Sequence, residues 1–228
     1  MRVALCFSGL PRFVQQTHKY WQQSIVAPYD PDIFVHCWKT ATTDFEQSLI
    51  QQSILDLYAP RAAVFATTPV YDTGSFTDRI WPHRITPQNQ YSQFDGIKRS
   101  QLLRHAWEQQ HDFEYDIVVR ARFDWYVENI TFECNSAVNI AHTPTLDGHK
   151  FIFNQQPLVG INDQFAYGTS DVMLKYAGLV DNIHHLYHHC GVDFCGELLL
   201  KAHLYSQDIP VQQHVWNNGI VRSHGIFP

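Results

Sequence analysis

Charged side chains are scarce in this chain of 228 residues, where lysine, arginine, aspartate and glutamate make up only 17% of the sequence. The formal net charge of −6 offers no general attraction to nucleic acid or to an anionic membrane surface. No apolar run approaches the length of a membrane-spanning helix. These absences predict a protein with no nucleic-acid partner and no membrane span. They still leave room for one basic cleft and for peripheral membrane contact.

Paired cysteines are also missing, because the five cysteines are odd in number and none of them form a C-x-x-C motif. Such pairs would have indicated a zinc site, a redox site or a disulfide framework. The apolar stretch at residues 2–9 is too short for the central region of a secretory signal. We therefore expect mostly reduced thiols and a cytoplasmic location.

Several motifs with known chemistry are absent. The chain contains neither of the glycine-rich phosphate-binding patterns, G-x-x-x-x-G-K-[ST] and G-x-G-x-x-G, and it has no H-E-x-x-H or G-x-S-x-G. His184, His185, His188 and His189 form two pairs at the i, i+4 spacing at which two imidazoles can share a metal. Zinc needs further ligands, so a half-exposed helix is the favoured interpretation.

Hydrophobic residues are plentiful at 45%, which is enough for a single core and predicts one domain over residues 1–228. Short apolar runs alternate with helical periodicity, and this alternation is typical of an α/β fold with a mainly parallel, doubly wound sheet flanked by helices. We expect a nucleotide-binding half at 1–128 and a smaller mixed half at 129–228. The predicted strands of the first half are 2–8, 31–38, 61–66 and the one beginning at 117.

The helices of the first half follow from the same pattern. We expect one at 13–26 and a second at 44–58 with Asp44 as its N-cap. Residues 67–90 are rich in Thr, Pro, Asp and Gly and predict a long loop. A third helix is expected at 92–110, directly before the fourth strand.

Three charged side chains stand at the end of the fourth predicted strand. Arg120, Arg122 and Asp124 occupy alternate positions, so they share one face. Ligands of open α/β sheets bind beyond the carboxyl ends of the strands. Asp124 there could hold a divalent cation against a diphosphate, and the two arginines could orient it or bind phosphate. The structural alternative is an ion pair at the edge of the sheet.

Other candidate donor-binding residues lie at two predicted element ends. Gly9 and Arg12 follow the first strand, where glycine lets the backbone approach a ligand and arginine could reach phosphate. Ser92, Gln93 and Lys98 are expected to open the third helix, whose N-terminus would attract anions. A turn glycine, a solvated arginine and a surface lysine are the structural alternatives.

Two carboxylates in the second half are candidate catalytic bases. Asp163 lies in a polar cluster between apolar segments, a composition that suits sugar hydroxyls or a base. Glu197 begins a late helix, where a carboxylate is also simply a favourable first-turn residue.

Five segments together resemble small bacterial and viral GT-A-type glycosyltransferases, in the group related to the WavE-like lipopolysaccharide-biosynthesis transferases. They occur in the order seen in that group, and the resemblance extends over roughly residues 2–222. The segments are VALCFSGLPR, YSQFDGIKRSQLL, YDIVVRARFD, NDQFAYGTSDVMLKYAGL and ELLLKAHL.

The resemblance implies a single Rossmann-like GT-A domain that binds a nucleotide sugar, usually with Mn²⁺ or Mg²⁺ held by a D-x-D motif. The matching position here reads Arg122-Phe123-Asp124, so an arginine replaces the first acid. Either Asp124 is the sole acidic metal ligand, or Arg122 replaces part of the cation's charge. A late histidine commonly completes such a site. His224 is the first candidate and His214 the second.

The resemblance also implies a reaction, in which a sugar passes from the nucleotide-sugar donor to a glycan or lipid-linked acceptor. Gly9, Arg12 and the residues of the third helix would then belong to the donor site, and Asp163 or Glu197 would lie near the acceptor. The sequence leaves open the donor, the acceptor, the stereochemical outcome and the oligomeric state. Two alternatives stay open as well. One is a non-catalytic nucleotide- or sugar-binding module, and the other is a metal-dependent phosphoester hydrolase, which needs several convergent carboxylates and histidines.

Overall fold

A computed structural model of the protein describes residues 1–80, 86–132, 139–145, 151–153, 156–158, 160–222 and 225–227. The strands of this part of the chain are β1 (Val3–Gly9), β2 (Asp32–Trp38), β3 (Ala62–Ala66), β4 (Ile117–Arg122), β5 (Trp125–Glu128), β6 (Ala141–Pro144), β7 (Phe151–Phe153), β8 (Gln156–Leu158), β9 (Ala166–Gly168), β10 (Val211–His214), β11 (Asn217–Arg222) and β12 (Gly225–Phe227). The helices are α1 (Val14–Trp21), α2 (Ala27–Tyr29), α3 (Asp44–Tyr58), α4 (Pro87–His111), α5 (Ser170–Ala177), α6 (Leu179–His188) and α7 (Gly196–Ser206), with a π-helical segment at Gln22–Val26.

The central sheet has seven strands in the order β10-β6-β9-β4-β1-β2-β3. β3, β2, β1 and β4 are parallel, and β9 lies antiparallel between β4 and β6. The prediction of an α/β fold with a mostly parallel sheet flanked by helices is confirmed, and the strand order is compatible with a Rossmann-like arrangement. The antiparallel sheet β12-β11-β5 and the hairpin β7-β8 make up smaller mixed parts.

Two hydrophobic cores cover the two faces of the sheet. Alternate residues of β1 divide between them, with Ala4 and Cys6 in the core under α4 and with Leu5 and Phe7 in the core under α1 and α3. Because both faces of β1, β2 and β4 are buried, these parallel strands are mostly apolar. Arg120 stands on the α4 side of β4, where an apolar residue would be expected.

The predicted bounds 44–58 of the second helix are confirmed by α3, but its predicted cap and the boundaries of two other helices were wrong. The first helix continues beyond residue 26, because α2 follows the π-helical segment directly and extends to Tyr29. Thr43, rather than Asp44, is the N-cap of α3, because its side chain accepts a hydrogen bond from the backbone of Glu46. α4 begins at Pro87 rather than at 92, since Thr86 caps it and proline suits the first helical position. Residues 87–90 of the predicted loop at 67–90 therefore belong to α4.

Within the residues described, we find no helix with both the length and the apolarity that crossing a bilayer requires.

Candidate functional site

A pocket of about 200 Å³ opens at the carboxyl ends of β1, β2 and β4, against one side of α4. This is the edge of the sheet where the sequence predicted a ligand site. Seven of the predicted site residues line it. The described residues that line it are Ser8, Gly9, Leu10, Arg12, Trp38, Asn89, Ser92, Gln93, Arg120, Arg122 and Asp124.

The floor of the pocket holds an ion pair between Arg122 and Asp124. Arg122 donates from Nε to Oδ1 and from Nη2 to Oδ2 of Asp124, both at 2.8 Å. Nη1 of Arg222 lies 3.9 Å from Oδ2, and the backbone carbonyl of Asp124 accepts from Val221 N at 2.8 Å. Asp124 is only 3% exposed. Both of its carboxylate oxygens therefore already have cationic partners.

Arg120 lies beside this pair and is completely buried, although it lines the pocket. Its Nε and Nη1 atoms have no hydrogen-bond partner among the described residues. Burial lowers the pKa of Arg120, while nearby Tyr176 and Asp163 act to raise it. Since an arginine stays protonated in proteins, this group is a buried positive charge without a hydrogen-bonded counter-ion.

The rim of the pocket depends on a close approach between α4 and the strand ends. Gly9 has a φ of +109°, a conformation that side-chain-bearing residues rarely adopt. A Cβ on Gly96 of α4 would lie 3.2 Å from Nε1 of Trp38, a tight contact, so any larger residue there would require the indole to shift by a few tenths of an ångström. Nε1 of Trp38 donates to the carbonyl of Ser92 at 2.9 Å and fixes the indole at the wall.

The predicted positions on α4 need correction. Since α4 begins at Pro87, Ser92 and Gln93 lie in its second turn and not at its N-terminus. Both still line the pocket. Lys98 does not line it, because its Nζ binds the two carboxylate oxygens of Asp181 at 2.8 and 2.6 Å. The structure therefore pairs Lys98 with α6 instead of placing it at the pocket.

Asp163 and Glu197 lie together behind the pocket wall. Oδ2 of Asp163 accepts from Nε2 of Gln93 at 2.6 Å, and Oε2 of Glu197 accepts from the Cys195 thiol at 3.0 Å. Burial, reinforced by the charge of Asp163, raises the pKa of Glu197 to about 7. Neither carboxylate is part of the pocket lining, and Asp163 is connected to it through Gln93.

This neighbourhood is tightly packed around two glycines. A Cβ on Gly160 would meet Cβ of Glu197 at 2.5 Å, and one on Gly196 would meet Oε1 of Gln90 at 2.5 Å and Oδ2 of Asp163 at 2.9 Å. Glycine at both positions thus allows the polar loop and α7 to bring the two carboxylates beside α4.

No protein-family model matches this chain, and no curated protein is similar to it. The functional interpretation therefore depends on the geometry of the site.

The described residues of the pocket do not fit a metal site of the D-x-D kind. Among them, Asp124 is the only carboxylate, and both of its oxygens are bound by Arg122. Across the part of the chain that is described, no three His, Cys, Asp or Glu side chains converge as metal ligands. His214, the second candidate, is not at the pocket. It stacks on Trp216, and its Nε2 lies 2.8 Å from Nδ1 of His142. His224, the first candidate, lies outside the described residues.

The residues that sequence reasoning missed include Ser8, Trp38, Asn89 and Arg222. Trp38 ends the second predicted strand, so the argument that selected Asp124 could have selected it. Asn89 required the correct start of α4, which the Thr86-Pro87 pair signals. Arg222 comes close to Asp124 because β11 pairs with β5, and no local pattern indicates that long-range contact.

Proposed function

We propose that this protein is a glycosyltransferase that takes a sugar from a nucleotide-sugar donor and passes it to a glycan or lipid-linked acceptor. The main support is the pocket at the carboxyl ends of β1, β2 and β4. Three of its lining residues are arginines and one is an aspartate, which leaves a local surplus of positive charge in a protein whose net charge is −6. A localised positive site of this kind suits a small anionic ligand.

The pocket and its polar rim are suited to part of such a donor. Ligand pockets for whole drug-sized molecules usually measure roughly 300–1,000 Å³, and this one measures about 200 Å³. We infer that it takes the diphosphate and the groups next to it. Ser8, Asn89, Ser92 and Gln93 offer hydrogen bonds to sugar or ribose hydroxyls around the guanidiniums.

The proposed chemistry follows from where charge develops. In sugar transfer, negative charge grows on the departing nucleoside diphosphate, and fixed positive groups in a site with little water stabilise that change. The arginines would supply this stabilisation. The Asp163 and Glu197 pair is the candidate base for the acceptor hydroxyl, because a carboxyl group with a pKa of about 7 can exchange a proton near neutral pH.

The two alternatives make different use of the same site. A two-metal phosphoester hydrolase needs convergent carboxylates and histidines, and the described residues supply no such group. A binding module would hold the same nucleotide and turn nothing over. The transferase proposal therefore requires turnover in addition to binding.

A thermal-shift screen of UDP-, GDP-, CMP- and dTDP-sugars, with and without Mn²⁺, tests the proposal first. One nucleotide class at a hundredfold excess over its Kd should raise the melting temperature by roughly 5–10 °C, whereas free sugars should not. The exposed Arg12→Gln variant should weaken the shift. Arg61→Gln, at an ion pair with Asp32 at the opposite end of the sheet, is the matched control.

Turnover is then measured with the donor that binds. Release of nucleoside diphosphate that rises when an oligosaccharide or lipid-linked acceptor is added would support transfer. Binding without any release would favour the binding module, and the absence of a shift with every nucleotide would contradict the assignment altogether.

A further inference from the structure

We propose that the arginines of this pocket neutralise the donor's diphosphate in place of a divalent cation, so that donor binding does not depend on metal. This inference rests on the proposed function, and it concerns how the same pocket holds its ligand. Three observations support it: the bonds that Asp124 already makes to arginine, the hydrogen-bond donors of Arg120 that lack a partner among the described residues, and the positive charge of the lining.

The carboxylate of Asp124 is already bound by arginine. Arg122 binds both of its carboxylate oxygens at 2.8 Å, and Arg222 stands 3.9 Å from one of them. To coordinate a cation, Asp124 would have to give up at least one of these bonds while the freed guanidinium stayed beside the incoming cation. The guanidinium and the cation would then repel each other, because both are positively charged and close together.

Arg120 has hydrogen-bond donors that are available to an anion. Its guanidinium is fully buried, lines the pocket, and leaves Nε and Nη1 without partners among the described residues. Asp163 and Asp124 both act to raise the pKa of Arg120, but Asp163 accepts from Gln93 through Oδ2 and Asp124 accepts from Arg122. Among the described residues, no hydrogen bond joins either carboxylate to Arg120. A buried charge of this kind is stabilised when an anion enters the pocket and accepts its hydrogen bonds.

The charge of the lining matches the ligand. Among the described lining residues, three guanidiniums against one carboxylate leave a surplus of two positive charges. A diphosphate linkage carries roughly one negative charge on each of its two phosphates. The arginines alone can therefore balance it, and guanidinium forks also suit the geometry of phosphate oxygens.

The test measures donor affinity by calorimetry with the whole chain, using UDP-, GDP- and dTDP-sugars, each in EDTA and in excess Mn²⁺. For the donor that binds, we expect the Kd to agree within about threefold between the two conditions. Inorganic pyrophosphate should compete with it in EDTA, because the diphosphate is the group recognised.

Variants assign the effect to the arginines. Arg120→Met and Arg12→Gln should each weaken binding in EDTA by about tenfold or more, because each removes a charged partner of the anion. Arg61→Gln should leave the Kd unchanged. Arg12 is exposed, so its variant keeps the test informative if Arg120→Met fails to fold.

The outcomes separate the two proposals. Binding that requires Mn²⁺ would overturn the inference and leave the proposed function standing. Binding in EDTA that survives both arginine substitutions would also overturn the inference. The absence of binding under both conditions would remove the proposed function, and the inference with it.

Discussion

At the scale of single residues, the bond between Arg122 and Asp124 connects the end of β4 to the turn that follows it. The carboxylate is almost fully buried and the guanidinium is partly exposed. Removing one partner of a buried pair costs about 3–5 kcal/mol, whereas exposed pairs contribute less than about 1 kcal/mol. This pair lies between those two cases.

We therefore expect Asp124→Asn to lower the free energy of unfolding by about 2 kcal/mol, since it leaves Arg122 without its counter-ion. A double-mutant cycle with Arg122→Met, followed by urea denaturation, should give a coupling energy of about 1–3 kcal/mol. If the two substitutions simply add, the ion pair does not stabilise the fold.

The raised pKa of Glu197 predicts how the stability of the fold changes with pH. Its pKa is raised from 4.5 to about 7 in the folded protein, so the native state binds an extra proton between these values. Its contribution to stability is therefore present below pH 4.5 and is lost as the pH rises through 7.

Glu197→Gln should remove this loss. The difference in unfolding free energy between variant and wild type should shift in favour of the variant by up to about 3 kcal/mol between pH 4.5 and 8. The exposed Glu114→Gln is the matched control. A difference that does not change with pH would show that Glu197 titrates normally.

At the scale of elements, a buried polar network joins α4 to α5 and to the segment before β4. Glu108 accepts from Arg104 and from Ser170 Oγ through Oε2, and from Tyr115 N at 2.9 Å through Oε1. Arg104 is completely buried. The position of α5 against α4 therefore depends on one compensated pair of charges.

Glu108→Gln should destabilise the protein by about 3–5 kcal/mol, because it leaves the buried Arg104 charge unpaired. Adding Arg104→Met to it should restore part of that loss, since both charges are then gone and Gln still accepts from Tyr115 N. Chemical denaturation of the single and the double variant measures their free energies of unfolding. A double variant no more stable than the single one would show that the charge itself is not the cause.

Some of the strands and the position of the pocket could be predicted from the sequence, and others could not. β1, β2, β4 and the strand-end pocket were predicted because apolar runs and alternating charges are local signals. The position of β9 was not predictable, since its antiparallel pairing with β4 is chosen by contacts far apart in sequence. Lys98 was misplaced for a similar reason, because its partner Asp181 lies far away in sequence on α6 and no local pattern indicates that ion pair.

At the scale of the whole molecule, the two cores contain natural reporters of unfolding. Cys6 lies in the core beneath α4, and Cys37 lies in the core on the opposite face of the sheet. Burial raises the pKa of each thiol to about 12, so neither reacts in the native state. Cys190 is exposed.

If the sheet and its two cores unfold as one domain, Cys6 and Cys37 should become accessible to a thiol reagent with the same free energy of opening. Cys190 should react at once. Mass spectrometry of labelled peptides across a urea series measures all three. Earlier labelling of Cys6 or Cys37 would show that the two faces of the sheet open separately.

The insertion of β9 between β4 and β6 has a consequence during protein synthesis. β4 leaves the ribosome well before β9, so until the later segment arrives one side of β4 is an unpaired strand edge in a highly apolar sheet. Such edges pair readily with other chains. The nascent protein is therefore expected to be most vulnerable to aggregation in the interval between these two strands, and a chaperone that holds β4 during that interval would have its greatest effect on the yield of folded protein.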